Sequence, residues 1–256
     1  MISRYNAWLN NVSLTETSPA LLITDISYQT ANPSIQGSDR VGTDGQFTSK
    51  AEFIASNRVT VSFIIREYNT WKRQQAVQEV IRWAGNGGWL ETYDRPEQRM
   101  YVRCTRLPSV SSVLRWTDAL AVEFTAYDYP FWTDKAPTEL TLGAGEEGTL
   151  YLSGVRYTHA EAEITAEETI TELQLACRDT FIWLRDISVA TGTPIRITYT
   201  DDHHLLTIQA GNTSLLDKRD PTSSDDLIAY PGGNAVAFSC EADAAQCTLM
   251  ARGVWL

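Results

Sequence analysis

Several things are missing from these 256 residues, and each absence closes off a class of function. No apolar run approaches the roughly 20 residues that a membrane-spanning helix requires. The N-terminal stretch MISRYNAWLNN lacks the basic-then-apolar layout of a secretory leader, so the expectation is a protein that folds and assembles where it is made. There is no GxGxxG or GxxxxGK[ST] loop to cradle phosphates and no GxSxG elbow to hold a nucleophilic serine. The four cysteines, Cys104, Cys177, Cys240 and Cys247, form no CxxC pair and have no His at zinc-finger spacing. They read as small apolar residues buried in strands, with no metal or disulfide role.

Histidine is scarce as well, with three in the chain. His203-His204, preceded by Asp201-Asp202, is the one cluster with metal-ligand chemistry. Adjacent side chains of a strand point to opposite faces, so the pair cannot easily share one ion, and a solvated turn is expected there. His159 stands alone. The acidic pairs Glu146-Glu147 and Glu167-Glu168 read as turn residues and not as a general acid and base. No catalytic, cofactor or metal residue is assigned, and the chain is read as not an enzyme.

Positive charge is also short. Net charge is −11. Residues 1–134 hold 13 Lys and Arg against 14 Asp and Glu, whereas 135–256 hold 8 against 18. Neither half has the basic balance of a nucleic-acid binder. The acidic half repels itself and suits an outward-facing domain.

What the chain does have is aromatic residues throughout, with eight Trp, eleven Tyr and seven Phe, as β-sandwiches and packed interfaces do. In 59–66, VTVSFIIR, Val59, Val61, Phe63 and Ile65 fall on one face at period two. In 119–127, ALAVEFTAY, Leu120, Val122, Phe124 and Ala126 do the same. Between these strands Val77, Val80, Ile81 and Ala84 mark a helical stripe. Asn69 or Thr70 is positioned to cap it, and Gly85-Asn86-Gly87-Gly88 stops it. Residues 33–48, with Gly37, Gly42 and Gly45, read as an extended loop or β-arm too long for a tight turn.

From 149 on the pattern is nearly pure β. Candidate strands are 149–156, 160–165, 170–176, 180–185, 194–200, 204–210, 235–241 and 246–255, with turn signals at Gly192-Thr193-Pro194, Gly211-Asn212 and Pro231-Gly232-Gly233. This spacing indicates a sandwich or jelly roll. The fold class expected is mainly β in two domains. The first, 1–134, is a β-sandwich with one packed helix; a linker occupies 135–148; a C-terminal jelly-roll or galectin-like sandwich spans 149–256. Such sandwiches stack sugars on exposed rings, which makes Trp183, Tyr199 and Tyr230 candidates for a carbohydrate-binding module. Core packing is the stronger expectation for Trp183, which alternates with Phe181.

The order of motifs in the first half resembles the N-terminal domain of the phage distal tail protein (Dit) family of long non-contractile tails. The glycine-bearing loop leads to VTVSFIIRE, then to the helix TWKRQQAVQEVIRWA. Leu90, Asp94 and Pro96 fit the family's leu-x-x-x-D-x-P segment, and Pro130, Phe131 and Trp132 fit its closing P-(F/Y)-W element. The second half resembles the family's C-terminal sandwich in IRITYTDDHHLLTIQ, in AYPGGNAVAFSC and in the final Val254-Trp255-Leu256. The resemblance implies a structural virion protein at the tail tip, assembled in the host cytoplasm. It implies a homo-hexameric ring between the tail tube protein and the baseplate hub or tail-associated lysin, with receptor-binding proteins at its periphery. DNA would pass through the lumen without specific binding, and no membrane or cofactor is involved. Strand addition by residues 33–48 is the expected clasp between subunits.

Overall fold

A computed structural model of the chain describes residues 5–30, 36–39, 46–49, 56–109, 118–127, 129–200 and 205–256. The chain divides into two units, Met1–Trp132 and Thr133–Leu256.

The first unit opens with β1 (Ala7–Leu9) and β2 (Val12–Ser13), joined by Asn10 and Asn11 with φ of 52° and 65°. Asparagine tolerates this left-handed geometry, which a two-residue hairpin turn requires. The Ser13 hydroxyl accepts from the Glu16 amide and starts the one-turn helix α1 (Leu14–Thr17). β3 (Leu21–Thr30), β4 (Gln36–Asp39), β5 (Gln46–Ser49) and β6 (Asn57–Ile65) follow. After them come α2 (Thr70–Ala84), β7 (Gly88–Thr92), β8 (Arg95–Arg106) and β9 (Leu120–Ala126). The antiparallel sheet has the order β2-β1-β7-β8-β9-β6-β3. As the period-two pattern predicts, β6 buries Val59, Val61, Phe63 and Ile65, and β9 buries Leu120, Val122, Phe124 and Ala126.

Strand β8 is shared. Its first part pairs with β7 (Leu90↔Met100, Gly88↔Val102) and its last part with β9 (Arg103↔Thr125, Arg106↔Glu123). The register slips between Cys104 and Arg106, and such irregularities bend a sheet. The curl brings Tyr28 of β3 to Thr92 and Asp94 at the far side, although three strands separate β3 from β7 in the sheet. The two-layer packing expected of the first domain is therefore achieved by one sheet folding on itself.

Asn69 is the cap of α2, its Oδ1 accepting from the Trp71 and Lys72 amides at 2.9 and 3.3 Å. Ala76, Val77, Val80 and Ala84 are buried, and Ile81 is half-buried. Arg73 is buried in the same stripe; its guanidinium doubles back to donate to the Glu67 and Tyr68 carbonyls and to Thr70 Oγ1. Gly85 is still right-handed at φ −59°, and the break comes at Gly87 (φ 63°) and Gly88 (φ 131°). A Cβ on Gly87 would meet the Val102 carbonyl at 2.3 Å, and one on Gly88 the Asn10 side chain at 2.2 Å. These glycines are required by close approach as well as by dihedral angle.

The second unit takes in β10 (Trp132–Asp134) from its second residue, then β11 (Thr138–Gly143), β12 (Glu147–Leu152), β13 (Thr158–His159) and β14 (Glu161–Thr165). β15 (Leu173–Cys177), β16 (Thr180–Leu184), β17 (Ile195–Tyr199), β18 (Leu206–Ala210) and β19 (Thr213–Ser214) continue it. β20 (Ile228–Ala229), β21 (Gly232–Cys240), β22 (Gln246–Ala251) and β23 (Val254–Trp255) complete it. Two antiparallel sheets, β11-β22-β14-β17-β18-β19 and β12-β21-β15-β16, share one core. Ile164, Ile197, Ile208 and Leu249 come from one side and Leu150, Leu175, Ile182 and Phe238 from the other. This is a β-sandwich, as expected.

The linker expected at 135–148 is instead structure. Thr138–Gly143 pairs with β22 along its whole length, and Leu142 is buried in the core. Glu146 closes the following turn by accepting the Gly143 amide at 2.7 Å. Asp134 ties the unit together: its Oδ1 accepts from the Trp255 indole at 2.8 Å and its Oδ2 from Ser153 at 3.0 Å, while its amide donates to the Gly253 carbonyl. All four cysteines lie in strands as free thiols; Cys177 and Cys247 are buried, but Cys104 and Cys240 only partly so. Burial pushes the Cys177 thiol up to about 11 and that of Cys247 up to about 12, which makes them unreactive.

Candidate assembly and binding surfaces

Among the described residues, no three His, Cys, Asp or Glu side chains gather into a potential metal site. His159 stacks on Tyr199 with ring centroids 4.4 Å apart, and its Nε2 lies 3.9 Å from Asp226. Desolvation lowers its pKa, opposed by Asp226. Glu167 and Glu168 are exposed in the turn after β14. Asp201, Asp202, His203 and His204 lie outside the described residues.

One residue of each of the two sequence elements in the first half, Asp94 and Trp132, does converge, through partners that the sequence reading does not name. Asp94 accepts from the Tyr28 hydroxyl at 2.5 Å, and Thr92 Oγ1 lies 3.0 Å from the same oxygen. The Tyr28 ring meets Trp132 edge-on at 5.8 Å. The Arg95 guanidinium stands over both rings, 5.2 Å from Tyr28 and 5.0 Å from Trp132. Burial and the Asp94 carboxylate together hold the Tyr28 proton, raising its pKa well above the ordinary value. Pro130 is buried and its carbonyl accepts from the Asn57 amide side chain, and Leu90 is buried opposite Met100. Pro96 is exposed and Phe131 packs on Tyr129 at 5.2 Å, so neither joins this cluster.

Four features of the first unit are suited to partners. At the start of α2, Tyr68 is 91% and Trp71 64% exposed, which is unusual for rings that dominate interface energetics. The ten-residue β3 lies at the edge of the sheet, with a bulge between Ile23 and Asp25. Of the segment 33–48, β4 and β5 pair with each other from Gln36↔Ser49 to Asp39↔Gln46, which places Gly37 in a hairpin strand; Gly42 and Gly45 lie outside the described residues. An open groove of about 460 Å³ runs between the β1–β2 turn and the end of α2, lined by Val12, Glu79, Arg82, Trp83 and Asn86 among others.

The three aromatic candidates of the second unit have separate fates. Trp183 is not in the core. Ile182 and Leu184 take the inward positions of β16, and the Trp183 ring lies half-buried on the outer face. Arg185 covers it at 4.5 Å, and its indole donates to Glu172 at 2.6 Å. Tyr199 is occupied by His159 stacking and by the Leu227 amide, which donates to its hydroxyl at 2.7 Å. Tyr230 remains at the surface beside Tyr157 and Arg178.

No family model matches the chain, and no curated protein matches it. Among solved structures it is similar to the Dit protein (gp 19.1) of SPP1, described as a paradigm of the hub adsorption apparatus in phages infecting Gram-positive hosts. The two superpose with a TM-score of 0.71 over 97% of this chain and 98% of that one, at 11% identity. A chain of the phage P2 baseplate in its activated conformation with Ca aligns at a TM-score of 0.46 and 9% identity, over 98% of both chains. The form with Sr gives 0.46 and 9%, over 96% of this chain and 97% of that one. Superposition at 0.46 adds nothing to the argument, whereas the first likeness spans both units. The chain has the fold of a phage distal tail protein over nearly its full length.

Proposed function

We propose that the chain is a structural subunit of a phage tail tip, working through geometry and interfaces and not through catalysis. Six copies form a ring that joins the tail tube protein to the baseplate hub or tail-associated lysin. Receptor-binding proteins attach at the periphery, and DNA passes through the lumen without specific contacts. The protein belongs to the virion tail tip after assembly in the host cytoplasm. The observation that carries this reading is the likeness of the whole fold to SPP1 Dit.

Local features support it. The near-neutral charge of residues 1–134 suits a channel that must not retain DNA. The exposed β3 edge and the β4–β5 hairpin that follows it are the two halves of a strand-addition clasp. Tyr68 and Trp71 supply ring area for a neighbour to bury.

Native mass spectrometry tests the reading. The expected species is six 28.6 kDa copies, about 172 kDa, for the intact chain. A variant lacking residues 33–48 is expected to keep its β circular dichroism and run as a monomer. A hexamer formed by that variant would remove the hairpin as the clasp. An intact chain that stays monomeric at high micromolar concentration, both alone and with the tail tube protein, would overturn the ring.

A further inference from the structure

We propose that the start of α2 is a docking site for a short acidic segment of a second protein, centred on Tyr68 and Trp71 and flanked by Arg66 and Lys72. The inference rests on the reading of those two rings as interface rings and adds the chemistry of what meets them.

The loop that carries the rings is fixed from below. Arg73 is buried, and its guanidinium donates to the Tyr68 carbonyl at 2.8 Å, to Thr70 Oγ1 at 3.0 Å and to the Glu67 carbonyl. The Glu67 carboxylate accepts the Asn69 amide at 2.9 Å, and the Arg66 amide donates to the Ala20 carbonyl at 2.8 Å. Asn69 in turn caps Trp71 and Lys72. The backbone from Arg66 to Lys72 is thus held at one residue after another. Its rings are displayed in a preset arrangement, and little freedom is lost when a partner covers them.

Nothing in the fold itself uses what this loop displays. Tyr68 is the most exposed large hydrophobic side chain among the described residues, and Trp71 follows three positions on. Arg66 and Lys72 are exposed beside them. No ring contact or ion pair among the described residues engages any of the four. Trp71 also heads a helix face of Gln74, Gln75 and Gln78, all exposed, at three, four and seven positions further on. Their amides both donate and accept hydrogen bonds without adding charge.

Charge selects the occupant. Within 66–73, Arg66, Lys72 and Arg73 stand against one acidic residue, Glu67, whose carboxylate already accepts the Asn69 amide. Two open cations attract carboxylates, and the rings between them bury an apolar side chain of the same segment. The same patch on another copy carries the same sign and repels it. This chain also has no run of three acidic residues to offer, so the segment belongs to a different protein. Nucleic acid fits poorly, because two free cations neutralise only about two phosphates and release few counterions.

The test is fluorescence anisotropy of the full chain with a fluorescein-labelled octapeptide of glutamates interrupted by one leucine and one phenylalanine. Binding in the micromolar range is expected, weakening as salt is raised. Tyr68→Ala and Trp71→Ala are each expected to weaken it by about tenfold or more, and Lys72→Glu to weaken it as well, whereas Trp71→Phe retains most of it. Thermal melts of all four variants should match the parent, because the side chains are exposed. The proposal is overturned if the peptide fails to bind at millimolar concentration, or if its counterpart with lysine in place of glutamate binds equally well. It is also overturned if both alanine variants bind as the parent does, or if they change only the self-association of the chain. A hexamer that ignores the peptide removes this docking site and leaves the ring standing; a monomer that binds it does the reverse.

Discussion

Replacing Asn234 by alanine should unfold the second unit at a substantially lower urea concentration while leaving the first unit as it was. The side chain is fully buried and satisfies both backbone groups of Tyr230 and the Leu150 carbonyl. Alanine cannot replace any of these bonds, and the position itself is closed to solvent. A buried backbone group left without a partner costs about 1–3 kcal/mol. With the Tyr230 amide and one carbonyl stranded, the expected loss is about 2–5 kcal/mol, against a total of about 5–15 kcal/mol for a domain. At a urea slope of about 2 kcal/mol per molar, the midpoint falls by about 1–2.5 M. Far-UV circular dichroism with increasing urea reads this directly, because the two units unfold as separate transitions where their stabilities differ. Asn234→Asp keeps an acceptor for the Tyr230 amide but loses the donor and buries a charge, so it should be no better than alanine. A loss below about 0.5 kcal/mol for Asn234→Ala, the range of an ordinary surface substitution, would refute the claim that this amide holds the turn.

Tyr28→Phe should cost about 0.5–1.5 kcal/mol, the net worth of a hydrogen bond to the solvent-exposed Asp94. The raised Tyr28 pKa means that the unfolded chain loses its proton first as pH rises past about 10, so stability declines there. The phenylalanine variant should show a shallower decline in urea stability measured from pH 9 to 11, with Tyr199 still contributing. Gly88→Ala combines a positive φ with a clash against Asn10 and should lower the melting transition of the first unit, costing about 2–3 kcal/mol. The lowered pKa of His159 has the opposite sense to that of Tyr28: stability is full above about 6.5 and falls as pH drops below it, because the unfolded state binds the proton more readily. His159→Gln should flatten urea stability between pH 7 and 5, and an unchanged slope would place the acid sensitivity elsewhere.

The parts of this fold that were legible in the sequence are those where a local period reports burial directly. β6 and β9 carry an apolar pattern at period 2, and α2 carries one at 3.6 residues from Ala76 to Ala84. β11 was not legible because it buries one side chain, Leu142; Glu139 and Thr141 face solvent, and Pro137 before it and Gly143 at its end read like linker residues. The alternation of Trp183 with Phe181 is real, but it runs along the outer face of β16, and alternation alone does not say which face is inward. Leu173, Leu175 and Cys177 set the inward face of β15, and their partners Leu184, Ile182 and Thr180 leave no inward place for Phe181 or Trp183. The cluster around Tyr28 depends on a contact across 66 residues and on the bend in β8, neither of which leaves a local signal.

The knot at Asp134 has a consequence for how the chain is made. Its partner Trp255 lies 121 residues further on, and β11 likewise waits for β22. At about 5–20 residues per second, roughly 6 to 24 seconds of synthesis separate the two ends of this closure. The strands of the first unit are complete by Ala126 and can pair during that interval, whereas the sandwich stays open until its last strand emerges. Translation thus gives the first unit a head start over the second, setting an order of maturation for the two units in time.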